Sequence, residues 1–205
     1  TNQGDVNIAL ATVEKRGRGL YGLINNAGLS IFGPMSEVPE SQLDFLFNVN
    51  VMGPYRVSQA FIPLLKQSQG RLISTGSIAG TGVGPMMGLY SMSKFAVEAM
   101  TDAWAQELAR YGIAVGVIEP GAFGTNIGNA ALERLISVGY WGESTQYPDE
   151  RKAYIDALGQ FERTIQGLLR RAAQQNHAHP HSIDRATMIK LLNEEIDRLE
   201  ADSAP

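Results

Sequence analysis

The chain contains no cysteine, which removes disulfides, thiol nucleophiles and cysteine metal ligands together. It has no apolar run approaching the ~18 residues needed to cross a bilayer. Positive charge is scarce as well. With 17 Lys and Arg against 21 Asp and Glu the net charge is −4, so no basic patch and no nucleic-acid partner are expected. No G-x-S-x-G elbow surrounds Ser77, which weakens a Ser-His-Asp hydrolase reading. Its three histidines all fall in His177-Ala178-His179-Pro180-His181. Imidazoles bind zinc or nickel, but no carboxylate cluster lies near and Pro180 breaks the local structure. That stretch reads as a solvated connector, and no metal site is expected. No signal peptide is evident, and cytoplasm is the default location.

What the chain does have is 44% hydrophobic residues over 205 positions, enough for one domain with its own core. A helical pattern to about Arg16 leads into the strand-like run Leu20 to Ile24. Pro39 to Lys66 is mostly helical, with a kink predicted at Gly53-Pro54 because proline removes a backbone donor and crowds the preceding turn. Arg71 to Ser77 reads as a strand, Gly76 to Gly88 as a loop, and Leu89 to Tyr111 as a long helix ended by Gly112. Ile113 to Glu119 is nearly continuous in apolar residues, as a parallel strand covered on both faces should be. This alternation predicts a doubly wound, Rossmann-like α/β parallel sheet. Gly17-Arg18-Gly19-Leu20-Tyr21-Gly22 fits G-x-G-x-x-G by letter. It follows a helix and precedes a strand, the reverse of the order that aims amides at a phosphate, and it reads as a connector.

The chemistry is concentrated in Tyr90-Ser91-Met92-Ser93-Lys94. Side chains at i and i+4 share a helix face, so the Lys94 ammonium can favour the ionised form of the Tyr90 phenol and make it usable as an acid or base. Alone, such a pair is an exposed helix pair. Here it is accompanied by Asn25-Asn26-Ala27-Gly28 at the end of one strand, Asn50 within a helix, Ser77 at the end of another strand, and Pro120-Gly121 closing a third. Each has an ordinary alternative: a strand-terminating turn for Asn25 to Gly28, a turn former for Ser77, a buried amide for Asn50.

In order and spacing this set resembles the short-chain dehydrogenase/reductase family over positions 1 to 127. The resemblance implies an oxidoreductase that moves a hydride between NAD or NADP and an alcohol or ketone. It implies Tyr90 as the acid/base, Ser77 as the donor that polarises the substrate oxygen, and Lys94 as a second partner of the nicotinamide ribose. Asn50 is implied as a relay whose backbone helps hold a water beside the lysine. Asn25, Ala27 and Gly28 would lie near the adenosine side of the cofactor, and Pro120, Gly121 and Thr125 near its nicotinamide end. A homodimer or homotetramer is implied by the helices carrying Asn50 and Tyr90.

The resemblance also marks departures. No strand, glycine-rich turn and helix precede the Asn25 strand. A βαβ unit takes about 30 or more residues, so a portion on the order of 60 residues is expected to be missing, and the chain is expected to be a fragment of a longer enzyme, a single partial Rossmann-like domain over 1–205 with a helical carboxyl-terminal region over 128–205. By itself it is expected to be inactive, half its cofactor cradle being absent and a sheet edge exposed. Ile127, Leu132, Leu135, Ile136, Tyr140 and Trp141 occupy the place of the family's substrate segment. They serve either an apolar substrate such as a steroid or retinoid, or a helix core. Tyr154, Leu158, Phe161, Ile165 and Leu168, and then Ile189, Leu192, Ile196 and Leu199, have helical spacing and read as packing stripes. A non-catalytic relative that senses a nucleotide or mediates protein contacts is the alternative. The joint presence of Asn50, Ser77, Tyr90 and Lys94 favours the enzyme.

Overall fold

A computed structural model describes residues 2–121, together with 127, 130, 131, 134, 137, 146–149, 152, 153 and 156. The chain divides into two compact units, 1–151 and 152–205. In the second unit Lys152 and Asp156, at helical spacing, form an exposed ion pair, 2.8 Å.

In the first unit, α1 (Gln3–Glu14) leads to β1 (Gly22–Asn25), α2 (Glu40–Phe47), α3 (Gly53–Ser68), β2 (Arg71–Thr75), α4 (Gly88–Leu108) and β3 (Ala114–Ile118). The three strands pair in parallel in the order β1-β2-β3. Leu23, Leu72 and Val115 are in register, as are Asn25, Ser74 and Val117 one pleat further on. Both rows project to one face because side chains alternate along a strand. On that face Leu72 packs with Ile62 and Leu65 of α3, Leu108 of α4 and Ile113 into an apolar cluster. This is the parallel sheet and helix alternation expected of a Rossmann-like fold.

The opposite face, with Ile24 and Ile118, is exposed among the described residues, at 66% and 55% respectively. The apolar pattern of β3 predicts cover on both faces, but the described residues supply it on one. None of the described helices is long and apolar enough to cross a membrane.

Local chemistry explains the element ends. Asn2 caps α1 by accepting the Gly4 amide at 2.9 Å. Between α1 and β1, Gly17 and Gly19 adopt φ of 63° and 67°, so the G-x-G-x-x-G letters serve a helix-to-strand connection. Gly112 ends the last helical turn at φ 72°. The β2 strand stops at Thr75, two residues short of the expected Ser77, and α4 passes into a 3-10 turn over Ala109–Tyr111.

One difference from expectation bears on function. In place of a break at Gly53-Pro54, helix runs continuously from α2 to α3 through a π-helical turn, Asn48–Met52. The Gly53 amide donates to the Asn48 carbonyl, five residues back. Pro54 then sits in the first turn of α3, where a missing amide hydrogen is tolerated. Because Pro54 has no N–H, the Asn50 carbonyl is left without an α-helical partner. Such single wide turns concentrate at functional sites.

Candidate active site

All the strand-end residues singled out by the sequence lie at the carboxyl edge of the parallel sheet, where open α/β folds bind ligands. After β1 the chain carries Asn25 to Gly28. Asn25 is buried, and its amide donates to the Ser58 hydroxyl of α3 at 2.8 Å, tying the strand end to the helix behind it. Thr75, ending β2, donates from its hydroxyl to the Asn26 side-chain oxygen at 3.2 Å.

Asn50, 2% exposed, clamps the next stretch of backbone. Its Oδ1 accepts the Leu29 amide at 2.9 Å, and its Nδ2 donates both to the Leu29 carbonyl at 2.8 Å and to Ser93 Oγ at 3.0 Å. The side chain therefore makes three bonds and joins the loop after β1 to α4. Ser93 in turn donates to the Tyr90 carbonyl at 2.7 Å. A Cβ added at Gly28 would lie 3.5 Å from Asn50 Oδ1 and 3.7 Å from Lys94 Nζ, so the Gly28 backbone passes beside both groups.

Tyr90 and Lys94 are both buried, at 9% and 6% exposure. The Lys94 ammonium donates to the Thr75 carbonyl at 2.8 Å and sits 5.7 Å from the centre of the Tyr90 ring. Phe32 meets that ring edge-on, with centroids 6.0 Å apart and planes at 64°. Ser77 lies in the turn after β2. Its Oγ accepts the Ala79 amide at 3.1 Å, and its hydroxyl is close enough to the Tyr90 phenol to favour the phenolate. The turn is fixed to the end of β3 by the Gly76 amide donating to the Ile118 carbonyl at 2.8 Å and the Ile78 amide donating to the Pro120 carbonyl at 3.1 Å. Gly121 follows with open space where a side chain would be.

The electrostatics correct one expectation. Spacing alone predicts that Lys94 lowers the Tyr90 phenol's pKa. Burial instead pushes the phenol above its ordinary value, with the Ser77 hydroxyl pulling the other way. Burial also lowers Lys94, while the Glu98 carboxylate pulls it back up. Desolvation disfavours the charged form of both groups, and the ammonium is anchored to the Thr75 carbonyl.

Asn25, Ala27, Gly28, Asn50, Ser77, Tyr90, Lys94, Pro120 and Gly121 are thus placed around one sheet edge. Thr125 lies outside the described residues, as do His177, His179, His181, Leu132, Leu135, Ile136, Tyr140 and Trp141, and the helical stripes beyond them. Ile127 is described: its side chain is 42% exposed, and its carbonyl accepts from Ser30 Oγ at 3.3 Å. Sequence reasoning missed Ser58, Ser93, Leu29 and Phe32. A serine three residues after the tyrosine is a weak signal for Ser93 at best; the others have none.

The residue set suits a dinucleotide. Glycine and alanine leave backbone accessible at Ala27, Gly28 and Gly121, and Lys94 has N–H groups beyond the one given to Thr75.

Comparison with known proteins follows the same line. A family model described as short chain dehydrogenase matches residues 1–135. Over 181 residues the chain is 34% identical to the 3beta-hydroxysteroid dehydrogenase dhs-16 of Caenorhabditis elegans, covering 86% of this chain and 46% of that protein. It is 41% identical over 120 residues to retinol dehydrogenase 5 of Homo sapiens, covering 58% of this chain and 37% of that protein. The chain therefore spans less than half the length of either curated relative. Among solved structures, a gluconate 5-dehydrogenase from Burkholderia cenocepacia J2315 in complex with NADP and tartrate superposes with a TM-score of 0.59 at 27% identity, covering 64% of this chain and 52% of that one.

Proposed function

We propose that this chain, which belongs to the short-chain dehydrogenase/reductase family, carries the acid/base machinery of an NAD(P)-dependent alcohol dehydrogenase or carbonyl reductase acting on CH–OH donors. The observation that carries this reading is the buried Tyr90 phenol beside Ser77, with Lys94 one turn further along the same helix.

When bound, the nicotinamide supplies or accepts the hydride. The protein's share is proton transfer and position. Tyr90 gives its proton to a carbonyl oxygen in reduction and takes one from the alcohol in oxidation. Burial shifts the phenol further toward its protonated form, the form needed for reduction. Ser77 holds the same oxygen: one of its lone pairs accepts from Ala79, which leaves the hydroxyl proton to donate to substrate. Lys94, steadied by the Thr75 carbonyl, uses its remaining N–H groups on the ribose hydroxyls. Asn50 fixes the Leu29 loop by its side chain, and its backbone carbonyl, which has no Pro54 amide to accept from, is the acceptor for a water relayed to Lys94. Asn25, Ala27 and Gly28 border the adenosine side, and Pro120 and Gly121 the nicotinamide side, with Thr125 assigned there by family resemblance. NAD and NADP both suit these residues.

The substrate we favour is an apolar alcohol or ketone. The relatives named for a hydroxysteroid and for retinol support this choice. We also propose a homodimer or homotetramer through α3 and α4. Tyr55 and Trp104 stack across these helices with centroids 6.2 Å apart, and Tyr55, Met92 and Phe95 are exposed there. A cytoplasmic site of action is part of the same proposal, checked by fractionation.

The decisive experiment is Tyr90→Phe in the whole protein. Turnover should fall by orders of magnitude with cofactor affinity nearly unchanged, since the phenolic proton acts in the transition state. A normal kcat would overturn the mechanism.

A further inference from the structure

The carboxylate of Glu98 has no part in the roles assigned above. It lies on α4 four residues after Lys94, on the same helix face. Its Oε1 is buried and has no hydrogen-bond partner among the described residues. Two glycines make room for it. A Cβ at Gly76 would run into Oε1, and one at Gly80 would lie 3.0 Å from both Cγ and Oε1 of Glu98. Those glycines bracket Ser77, Ile78 and Ala79. The other side of the same turn is bonded to the Ile118 and Pro120 carbonyls, so the Ser77 turn is held between the end of β3 and the Glu98 side chain.

A carboxylate oxygen with no donor is costly to bury, and an apolar side chain would fill the hollow without that cost. What an apolar residue could not supply is charge beside Lys94. We propose that Glu98 is a positioning residue that seats the Ser77 turn by shape and sets a carboxylate one helical turn from the Lys94 amine.

This rests on the roles given to Ser77 and Lys94 above. Burial works against the Lys94 charge and the Glu98 carboxylate works for it. Glu98 is itself pushed up by burial, by Glu119 and by Asp102, with Lys94 opposing. Of the elements packed on α4, the Ser77 turn and the π-helical turn carry no charge. The chain after β3 brings Glu119, α2 carries Glu40 and Asp44, α3, whose Tyr55 stacks on Trp104, carries Arg56 and Lys66, and Arg71 and Arg110 lie at the far end of the sheet.

The test uses Glu98→Gln, which keeps the shape and removes the charge, and Glu98→Asp, which keeps the charge and shortens the reach. With five lysines in the chain, Nζ nitrogen NMR follows each titration, Lys94 being assigned by Lys94→Arg. In Glu98→Gln the Lys94 titration should move to lower pH with the other four unmoved. In the whole protein kcat should fall several-fold, KM for the alcohol should hold, and the alkaline limb of the rate profile should move to lower pH. Glu98→Asp should restore the Lys94 titration without restoring kcat. The unfolding temperature of Glu98→Gln at neutral pH should not drop, since it relieves repulsion from Asp102 and Glu119. An unmoved Lys94 titration in Glu98→Gln, with or without a loss of stability, overturns the proposal. That measurement needs no turnover, so it is independent of the Tyr90→Phe result on which the catalytic reading stands.

Discussion

Replacing Asn50 by alanine should unfold the chain more readily than any other single truncation at the candidate site. The side chain is 2% exposed and makes three hydrogen bonds, two to the Leu29 backbone and one to Ser93. A typical buried hydrogen bond nets about 0.5–1.5 kcal/mol, and a buried group left without its partner costs about 1–3 kcal/mol. Leu29 is half-buried, so water can reach part of what Asn50 leaves behind. Ser93 keeps its bond to the Tyr90 carbonyl. Those facts put the loss at about 2–4 kcal/mol, in the lower part of the range that a simple sum over these groups would give. For a chain of this size that is roughly 4–16 °C in Tm. Ser93→Ala, which removes one bond to Asn50 and one within the helix, should cost about 1 kcal/mol. Asn50→Asp separates the bonds further: the carboxylate still accepts the Leu29 amide but sets an oxygen against the Leu29 carbonyl. It should be at least as damaging as alanine. Urea unfolding followed by circular dichroism, with m-values checked for constancy, measures all three. A loss below about 0.5 kcal/mol for Asn50→Ala, the level of an ordinary surface change, would show that the clamp does not hold the loop.

Gly70→Ala should be strongly destabilising, because a Cβ there would sit 2.7 Å from the Tyr21 carbonyl oxygen; backbone cannot yield as a flexible side chain does, and overpacking costs about 1–3 kcal/mol or more. Thermal unfolding checks it, and a wild-type Tm would refute it. Stability should respond to pH through two buried groups. Lys94 is lowered by folding, so the unfolded chain holds its proton longer, and stability should rise with pH from the lowered folded value up to the ordinary lysine value. Tyr90 is raised, so above the ordinary phenol value of about 10 its contribution should run the other way, stability falling as the unfolded chain loses its proton first. Lys94→Met should remove the rise and Tyr90→Phe the fall in unfolding curves taken across alkaline pH. The 205-residue chain purified alone should bind NADH and NADPH weakly, since the described residues contain no strand, glycine turn and helix aimed at a pyrophosphate; a fluorescence titration showing tight binding of either would contradict this.

Much of the fold was legible because the sequence repeats one physical pattern. The apolar runs Leu20 to Ile24 and Ile113 to Glu119, and the helical stripe of Leu89 to Tyr111, place two strands and a helix that the structure shifts by one to three residues at their ends. Such shifts follow from backbone bonding at the termini, to which side-chain pattern is blind. The stretch around Asn50 was legible as helix, but the form of its turn was not, for a more specific reason. Gly53-Pro54 announces a lost hydrogen bond, which is true, but not how the loss is absorbed. The chain widened the preceding turn to five-residue spacing, as the bond from Gly53 to Asn48 shows, and so carried the helix through the proline without a break.

At the site, the sequence named chemical types and their order but not their pairings. Tyr90 and Lys94 are four residues apart, and a helix makes them neighbours by rule. Asn50 and Leu29 are 21 apart, Asn50 and Ser93 are 43 apart, and no spacing rule reaches that far. The same limit explains why the sign of the Tyr90 shift was misjudged. Spacing tells which charges a helix brings together, and by that measure an ammonium beside a phenol favours the phenolate. Whether that attraction prevails depends on how much water both groups have lost, a property of the loops that cover them: Phe32 against the ring, the Leu29 backbone held by Asn50, the Ser77 turn seated on Glu98. Each of those cover groups comes from a segment distant in sequence. The direction in which burial moves the tyrosine is therefore set by surroundings that its own motif cannot see. Substitutions in those loops should move its titration while leaving Tyr90 and Lys94 in place.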